Sequence, residues 1–411
     1  MKRLLCYMIL SYTIIIASES FSAKDWQLVC DNTHTCRLAG YTDQTLNQEY
    51  YPISILLERE AGASTRINGY IELDYTEYTD KLKNDILKMS IGNKIYVVNV
   101  SKKLKQLHTD ILVNALAKEK EILFLYGDKY KWVFSQSGSF ASMLKMDDYQ
   151  KRIDTIGAIY KKGNKNENNV LKSKSIPIVN VPEIYPILEN KKIPELTLAT
   201  KNRQLLQDLL SVYYEDIVNE NTECWTDKEE ARKSLKVYRL TDKLAIASQV
   251  CWIAAYNFAD AFWLINLKPP FVPKYITYGN SFFVDADGVA SISNSHKGRG
   301  VGDCWSNNKL VWNGKDFVEI LNSTTGLCRG FAGGAWKLPT LIKKVKVENS
   351  FNIKIKKVFL HSSANDNSKL KSYLLKGDRV KVLYEKKNWL YILYKGKKHI
   401  KAWIPKSSVV K

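Results

Sequence analysis

Six cysteines that follow an apolar leader are the feature that most restricts how this chain can fold. Lys2 and Arg3 precede an apolar run at residues 4–17, and small residues follow it. This pattern is typical of a secretory signal peptide over residues 1–23, with cleavage near residues 20–23. Export would place the mature chain in an oxidising compartment, where an even number of cysteines pairs into disulfides. We therefore expect a periplasmic or secreted, cross-linked protein.

The six cysteines allow many pairings, and the sequence leaves the choice among them open. Sequence order suggests the three local pairs Cys30–Cys36, Cys224–Cys251 and Cys304–Cys328. A metal site is the weaker interpretation, because there is no C-x-x-C and because His34 and His296 lie at no ligand spacing. We expect neither a metal nor another cofactor.

After the leader, no stretch approaches the roughly 18 apolar residues of a membrane helix, so we expect no membrane span in the mature chain. A mature length of about 390 residues predicts two or three domains. Residues 161–199 have linker composition, rich first in Lys, Asn, Gly and Ser and then in proline. The predicted division is a first body domain at 24–160, this linker, a second body domain at 200–342 and a C-terminal domain at 343–411.

Short apolar runs between turn residues predict that both body domains are α+β and mostly strand. Ile122–Tyr126 and Tyr130–Phe134 flank Gly127-Asp128, which is a hairpin pattern. Helical spacing of leucines predicts a helix at residues 105–118 and another at residues 201–219.

The C-terminal domain carries most of the basic excess of the chain. From Lys343 to Lys411 there are 19 Lys or Arg and 4 Asp or Glu, a balance of +15 within a total of +20. Polar and apolar residues alternate between turns at Gly377, Asn388 and Gly396, which predicts short strands that close into a small β-barrel.

This domain resembles a bacterial Src-homology-3-type (SH3-like) domain over residues 345–411. The similarity rests on the Gly377-Asp378 turn into a valine-rich strand, on Trp389 at the start of the next strand, and on the late Ala402-Trp403-Ile404. The family has Gly where this chain has Ala402, which leaves less room for a ligand beside that backbone. The resemblance implies tethering to peptidoglycan or a related wall polymer.

The body resembles a family of secreted bacterial proteins defined only as a domain of unknown function, DUF 1176. The resemblance implies a periplasmic fold with disulfides and supplies no catalytic site. The segments that carry it span nearly all of residues 24–341: Trp26, Cys30-Asp-Asn and Cys36, Leu57-Glu-Arg59-Glu-Ala-Gly62, Met146-Asp-Asp148, Ala255-Tyr-Asn257, Gly298 to Cys304, Cys328-Arg-Gly330, and Gly333 to Leu341.

Two glycine-rich loops near the last two cysteines are the candidate site of the body. Backbone N–H groups in such loops can hold a phosphate or a sugar, and four polar or aromatic side chains would line the cleft between them. The alternative is a pair of tight turns packed around the cysteines. The candidate ligand-binding residues are Arg299, Asp303, Arg329 and Trp336.

The aromatic side chains of the C-terminal domain are the second candidate site. Side chains alternate between the two faces of a strand, so about half of them must face the core. Lysines around them could pair with carboxylates or phosphates of wall polymers. The candidate ligand-facing residues are Tyr373, Trp389, Tyr391 and Trp403.

We assign no catalytic residue, because the chain lacks a G-x-S-x-G, an H-E-x-x-H and a Walker loop. Asp285-Ala-Asp287-Gly288 lacks the further oxygen ligands of a calcium loop and predicts a hairpin turn. The neighbours Asp147 and Asp148 have no feature of an acid/base pair. Enzyme activity is therefore not expected.

These observations favour a non-catalytic binding or adaptor protein held at the cell envelope by the basic SH3-like domain. Its partner would be peptidoglycan, another anionic wall component or an envelope protein. Two alternatives stay open: an inhibitor or immunity protein against an exported toxin or wall hydrolase, and an uncharacterised hydrolase. Nucleic acid is not an expected partner, because the chain is exported.

Overall fold

The computed structural model covers most of the chain outside the leader. Residues 1–18 of the predicted signal peptide lie outside the described residues, and its predicted cleavage region lies in an edge strand. The described residues are 19–42, 52–74, 86–98, 103–127, 130–182, 184, 195–219, 224, 227–285, 287–347, 350–396 and 399–410.

The first unit contains a five-stranded antiparallel meander in the order β1-β2-β3-β4-β5 and a four-stranded sheet in the order β7-β6-β8-β9. Helix α1 and the β8–β9 hairpin confirm the helix and the hairpin that the sequence pattern predicts. The elements are β1 (Glu19–Ala23), β2 (Trp26–Cys30), β3 (Cys36–Tyr41), β4 (Ile53–Arg59), β5 (Ile67–Leu73), β6 (Leu87–Ile91), β7 (Lys94–Val98), α1 (Gln106–Ala117), β8 (Ile122–Tyr126), β9 (Tyr130–Val133) and α2 (Ser139–Tyr149).

One hydrophobic core fills the space between these two sheets and their helices. Trp26 is fully buried in it, packs against Phe134 and donates its indole N–H to the carbonyl of Ser135 at 3.0 Å. The ring lies 2.6 Å from where a Cβ would stand on Gly40, so only glycine fits there. Met143 and Met146 of α2 close the other side of the core.

The acidic pair at the end of α2 divides into a buried and an exposed residue. The carboxylate of Asp147 accepts hydrogen bonds from the backbone N–H groups of Ile159 at 2.8 Å and Tyr160 at 2.9 Å. Burial raises the pKa of Asp147, and these hydrogen bonds act in the opposite direction. Asp148 is exposed. Asp147 therefore anchors the chain that follows α2.

Residues 161–172, which composition assigns to the linker, pack against the first unit. Arg152 and Glu167 form an ion pair at 2.6 Å, with side chains that are 1% and 7% exposed. Arg152 also donates to the carbonyl of Gly62, and Glu167 accepts from the N–H of Ser64. A polar composition predicts a solvated linker, but the charge of Glu167 is instead buried in the first unit and neutralised by Arg152. The domain boundaries themselves stay a prediction.

The second unit places two antiparallel sheets face to face, in the orders β11-β12-β13-β14 and β15-β16-β17-β18-β19. Ile246 and Phe262 of one sheet meet Ile292 and Trp312 of the other, and helices α3 and α4 cover the outer face of the first. The elements are α3 (Thr200–Asn219), α4 (Lys228–Lys233), β11 (Lys236–Arg239), β12 (Leu244–Ile253), β13 (Phe258–Asn266), β14 (Lys274–Gly279), β15 (Ser281–Val284), β16 (Ala290–Lys297), β17 (Trp305–Trp312), β18 (Phe317–Thr324) and β19 (Leu338–Ile342), with the shorter strand of residues 178–181 before them.

The C-terminal module is a curled seven-stranded sheet that begins at Ser350. Residues 344–347, which the sequence assigns to it, instead pair in parallel with residues 178–181 and pack against the second unit. The strands of the module, numbered onward from β19, are β20 (Ser350–Ile353), β21 (Lys357–His361), β22 (Lys369–Leu375), β23 (Arg379–Lys386), β24 (Trp389–Lys395), β25 (His399–Pro405) and β26 (Val409–Val410).

The expectation of a mostly β protein with disulfides is confirmed. The structure joins Cys30 to Cys36, Cys224 to Cys251 and Cys304 to Cys328, which is the pairing that sequence order suggests. The β15–β16 connection is the expected hairpin turn, since Oδ1 of Asp285 accepts from the N–H groups of Asp287 and Val289. In the part of the chain described above, no helix has both the length and the apolar character needed to cross a bilayer.

We expect Arg152→Ala to lower the free energy of unfolding by about 3–5 kcal/mol, because Glu167 would remain buried without its partner. The control is Lys165→Ala, which removes the exposed pair of Lys165 with Asp154, 3.1 Å apart, in the same region. This change should cost less than about 1 kcal/mol. Urea unfolding followed by circular dichroism measures both. Equal losses in the two variants would contradict the structural role of the buried pair.

Candidate functional site

The Cys304–Cys328 disulfide brings the two glycine-rich loops of the body together. Asp303 is buried beside it, and its carboxylate accepts from Nε of Arg299 at 2.8 Å and from the N–H of Gly330 at 2.7 Å. Burial by itself would raise the pKa of Asp303, but these hydrogen bonds outweigh it and hold the pKa below its usual range. Arg299 and Asp303 therefore bind one another.

The other two predicted residues of this site point to the first unit. Arg329 donates to the carboxylate of Asp25 at 2.7 Å, and Nε1 of Trp336 donates to Oγ of Ser54 at 2.8 Å. Between them, the N–H of Leu327 donates to the hydroxyl of Tyr41 at 3.1 Å.

The four residues therefore do not line one open cleft. They lie along the contact between the second unit and the meander, where Phe331 and Leu338 pack on Val29, Ala39 and Leu56. Their assignment to a ligand site stays a prediction.

Asp303, Cys304 and Cys328 offer atoms that all lie within 4.8 Å of one another, a spacing that a metal ion could use. Cysteine binds zinc as a thiolate, whereas both sulfurs here are joined in the disulfide. This cluster is therefore a covalent link between loops and does not fit a metal in its oxidised form.

We expect Arg299→Gln to lower the free energy of unfolding at pH 7 by about 1 kcal/mol, a modest value because Arg299 is half exposed. The pKa of Asp303 is lowered in the folded state. Its ionised carboxylate therefore stabilises the folded protein above the unfolded pKa of about 4, and this contribution disappears at lower pH as the group becomes protonated. The difference between the variant and the wild type should therefore shrink as pH falls from 6 to below about 3.

Arg239→Gln is the control, because it breaks an exposed Arg–Asp pair and should change stability by less than about 1 kcal/mol at any pH. Guanidinium unfolding at several pH values measures both variants. A pH-independent loss in Arg299→Gln would argue against the role of the Asp303 carboxylate.

The C-terminal module presents the second candidate site on its convex side. Along β24 and β25, Leu390, Ile392 and Ile404 point into the core, while Trp389 and Trp403 lie partly exposed on the opposite side. We call this side the outer aromatic face, and its residues are Phe359, His361, Tyr373, Tyr384, Trp389, Tyr391 and Trp403.

Strand register aligns four of these residues in one row across the sheet. Tyr384 pairs with Tyr391, Tyr391 with Trp403, and Trp403 with His361. The rings of Tyr391 and Trp403 are 5.1 Å apart, and those of Tyr384 and Trp403 are 6.0 Å apart. Trp389 lies against His361 at 4.6 Å. Three of the four predicted residues therefore share one continuous surface.

The fourth predicted residue, Tyr373, belongs to a smaller group at the end of the same face. It pairs with Phe359, with ring centroids 6.1 Å apart. Nζ of Lys357 lies 3.8 Å from the Tyr373 ring centroid, and Nζ of Lys369 lies 3.9 Å from that of Phe359. Cations therefore flank the aromatic surface at a distance that favours cation–π attraction.

Sequence reasoning missed His361 and Tyr384 as members of this face. His361 looked like an isolated surface or capping histidine, yet its ring supports Trp389, and Nδ1 lies 3.0 Å from the carbonyl of Asn365. A carbonyl only accepts, so Nδ1 is the donor. The alternation of β21 is the signal that could have placed His361 opposite the core residues Val358 and Leu360.

Comparison with known proteins gives two family matches. Residues 20–343 match the family described as "Protein of unknown function (DUF1176)", and residues 356–410 match the bacterial SH3 domain. The uncharacterized protein YpfG of Escherichia coli (strain K12) is 24% identical over 349 residues, covering 79% of this chain and 92% of that relative. No solved structure gives a significant match. The first match spans well over half of the chain, which therefore belongs to the DUF1176 family and ends in a bacterial SH3 domain.

Proposed function

We propose that this chain is a non-catalytic exported protein whose SH3 module binds peptidoglycan or another anionic wall component through the outer aromatic face. The observation that carries the proposal is the row of Tyr384, Tyr391 and Trp403, which the sheet register lines up on a partly exposed surface. A soluble domain usually buries such rings, and a contiguous exposed patch is a sign of a binding surface.

The chemistry of the face suits a wall polymer. Aromatic rings give a sugar chain a flat apolar surface, and each ring can contribute without losing much conformational freedom. Lys357 and Lys369 beside the rings can donate to the carboxylates of wall peptides or to the phosphates of anionic polymers. The strong positive charge of the module adds long-range attraction to such ligands.

Export and an envelope location belong to the same proposal. The leader composition supports export, and the three disulfides are a feature of chains that mature in an oxidising compartment. The module would hold the protein at the wall, which leaves the body free for a second partner.

A protein partner for the body is the second candidate function, in line with an inhibitor or immunity role. The tip of the β12–β13 hairpin exposes Ile253, Tyr256 and Phe258, and Val301 in the neighbouring loop is 77% exposed. Ile253 pairs with Phe258 across the hairpin, and Gly300, the residue before Val301, lies close to the ring of Tyr256, so the loop and the hairpin tip are neighbours. Exported toxins and wall hydrolases are the partner classes to screen against it.

Co-sedimentation of the full mature chain with purified peptidoglycan, at low and moderate salt, tests the main proposal. We expect Trp389→Ala and Trp403→Ala each to weaken binding at least about tenfold, equivalent to about 1.4 kcal/mol. Tyr256→Ala, which removes an exposed aromatic ring from the body, should bind like the wild type. Thermal melts of each variant show that the module is still folded.

If binding disappears at moderate salt while both Trp variants bind like the wild type, the interaction is charge attraction alone and the aromatic face is not the site. If the wild-type chain stays in the supernatant at both salt concentrations, the wall-binding proposal is wrong. In that case a protein partner for the body becomes the better hypothesis.

A further inference from the structure

The first unit contains a cleft of about 610 Å³ between α1, the start of β5 and the loop of residues 156–162. This volume is in the range of small-molecule sites. The cleft lies in a different unit from the outer aromatic face and shares no residue with either candidate site. We infer that it binds a small organic oxyanion, a molecule that carries a phosphate or carboxylate group on an apolar portion.

A buried arginine forms the floor of the cleft. Arg59 is 4% exposed. Its Nε and Nη2 donate to the carbonyl of Thr65 at 3.1 and 2.9 Å, and its Nη1 donates to the carbonyl of Gly157 at 2.6 Å. A guanidinium has five N–H groups, so two remain without a hydrogen bond to any described residue.

The guanidinium of Arg59 also lacks a directly bonded carboxylate among the described residues. Burial lowers its pKa to about 10, and the nearby charge of Arg152 adds to this effect. Asp147 and Glu167 oppose it without reversing it. Arg59 therefore stays cationic at neutral pH. An anion in the cleft would interact favourably with its guanidinium, because buried charges interact strongly in a medium of low dielectric constant.

Three exposed cations surround the floor: Arg66 just before β5, Lys118 just after α1, and Lys162 in the loop. In the described part of the chain, none of them forms an ion pair. Among the described residues of the cleft wall Asp110 is the one carboxylate, and it accepts a hydrogen bond from Gln106 at 2.8 Å. Four cations thus face one acidic group, which gives the cleft a positive potential that attracts anions.

The remaining wall of the cleft is apolar and would contact the apolar portion of the ligand. Ile67, Val113 and Ala117 line one side, and Ile156 and Tyr160 line the loop side. Ile156 is 67% exposed and adds apolar surface to this wall. An inorganic ion would leave this surface uncovered, whereas an organic oxyanion would cover it.

Isothermal titration of the full mature chain with phenyl phosphate, benzoate and neutral benzyl alcohol tests the inference. We expect saturable binding of at least one of the two anions and none of the alcohol, and the preferred anion distinguishes phosphate from carboxylate recognition. The double variant Arg66→Gln with Lys118→Gln should weaken that binding at least about tenfold. Lys120→Gln is the matched control, because Lys120 is exposed two residues after Lys118 and does not line the cleft.

The basic module could also attract anions, so Lys371→Gln, an exposed change in β22, serves as a second control and should not alter the binding. The inference is wrong if neither anion binds by about 10 mM, or if benzyl alcohol binds as well as the anions. It is equally wrong if Lys120→Gln or Lys371→Gln weakens binding as much as the double variant does. These results do not depend on whether the outer aromatic face binds peptidoglycan.

Discussion

The Cys304–Cys328 disulfide is the constraint on which the arrangement of the body depends. It closes a loop with a sequence separation of 24 residues, and a loop of that size stabilises the folded state by about 3 kcal/mol through the unfolded chain. The same bond positions the loop that carries Arg329 and Phe331 onto the meander of the first unit. The disulfide itself lies within the second unit, and a salt bridge and apolar packing then join two sheets from distant parts of the sequence.

The two proposed binding surfaces use similar chemistry in different settings. The outer aromatic face is a broad convex surface suited to an extended polymer, with Lys357 and Lys369 at its edge. The cleft is concave and has the buried Arg59 as its floor, which suits a small ligand. A convex surface gains affinity from several adjacent rings, whereas a concave site gains it from a few charges that are shielded from water.

Local patterns predicted local structure well. The leucine spacing predicted α1 and the Gly127-Asp128 turn predicted the β8–β9 hairpin, whereas alternation predicted only that about half of the aromatic rings of the C-terminal module face its core. Interactions between distant residues were not visible in the same way. The buried pair of Arg152 and Glu167 lies in a stretch whose composition indicated a solvated linker, because composition reports average solvation and not the partner of a single charge.

The sequence by itself determined the six-cysteine framework, the mostly β architecture and the concentration of positive charge in the C-terminal module, because these follow from residue type and short-range periodicity. Only the tertiary structure decided which side chains meet. It turned Arg299, Asp303, Arg329 and Trp336 toward partners within the chain, and it set His361 in line with Trp403. The physical reason is that strand register and the packing of sheets depend on contacts between residues far apart in the chain, which no local pattern encodes.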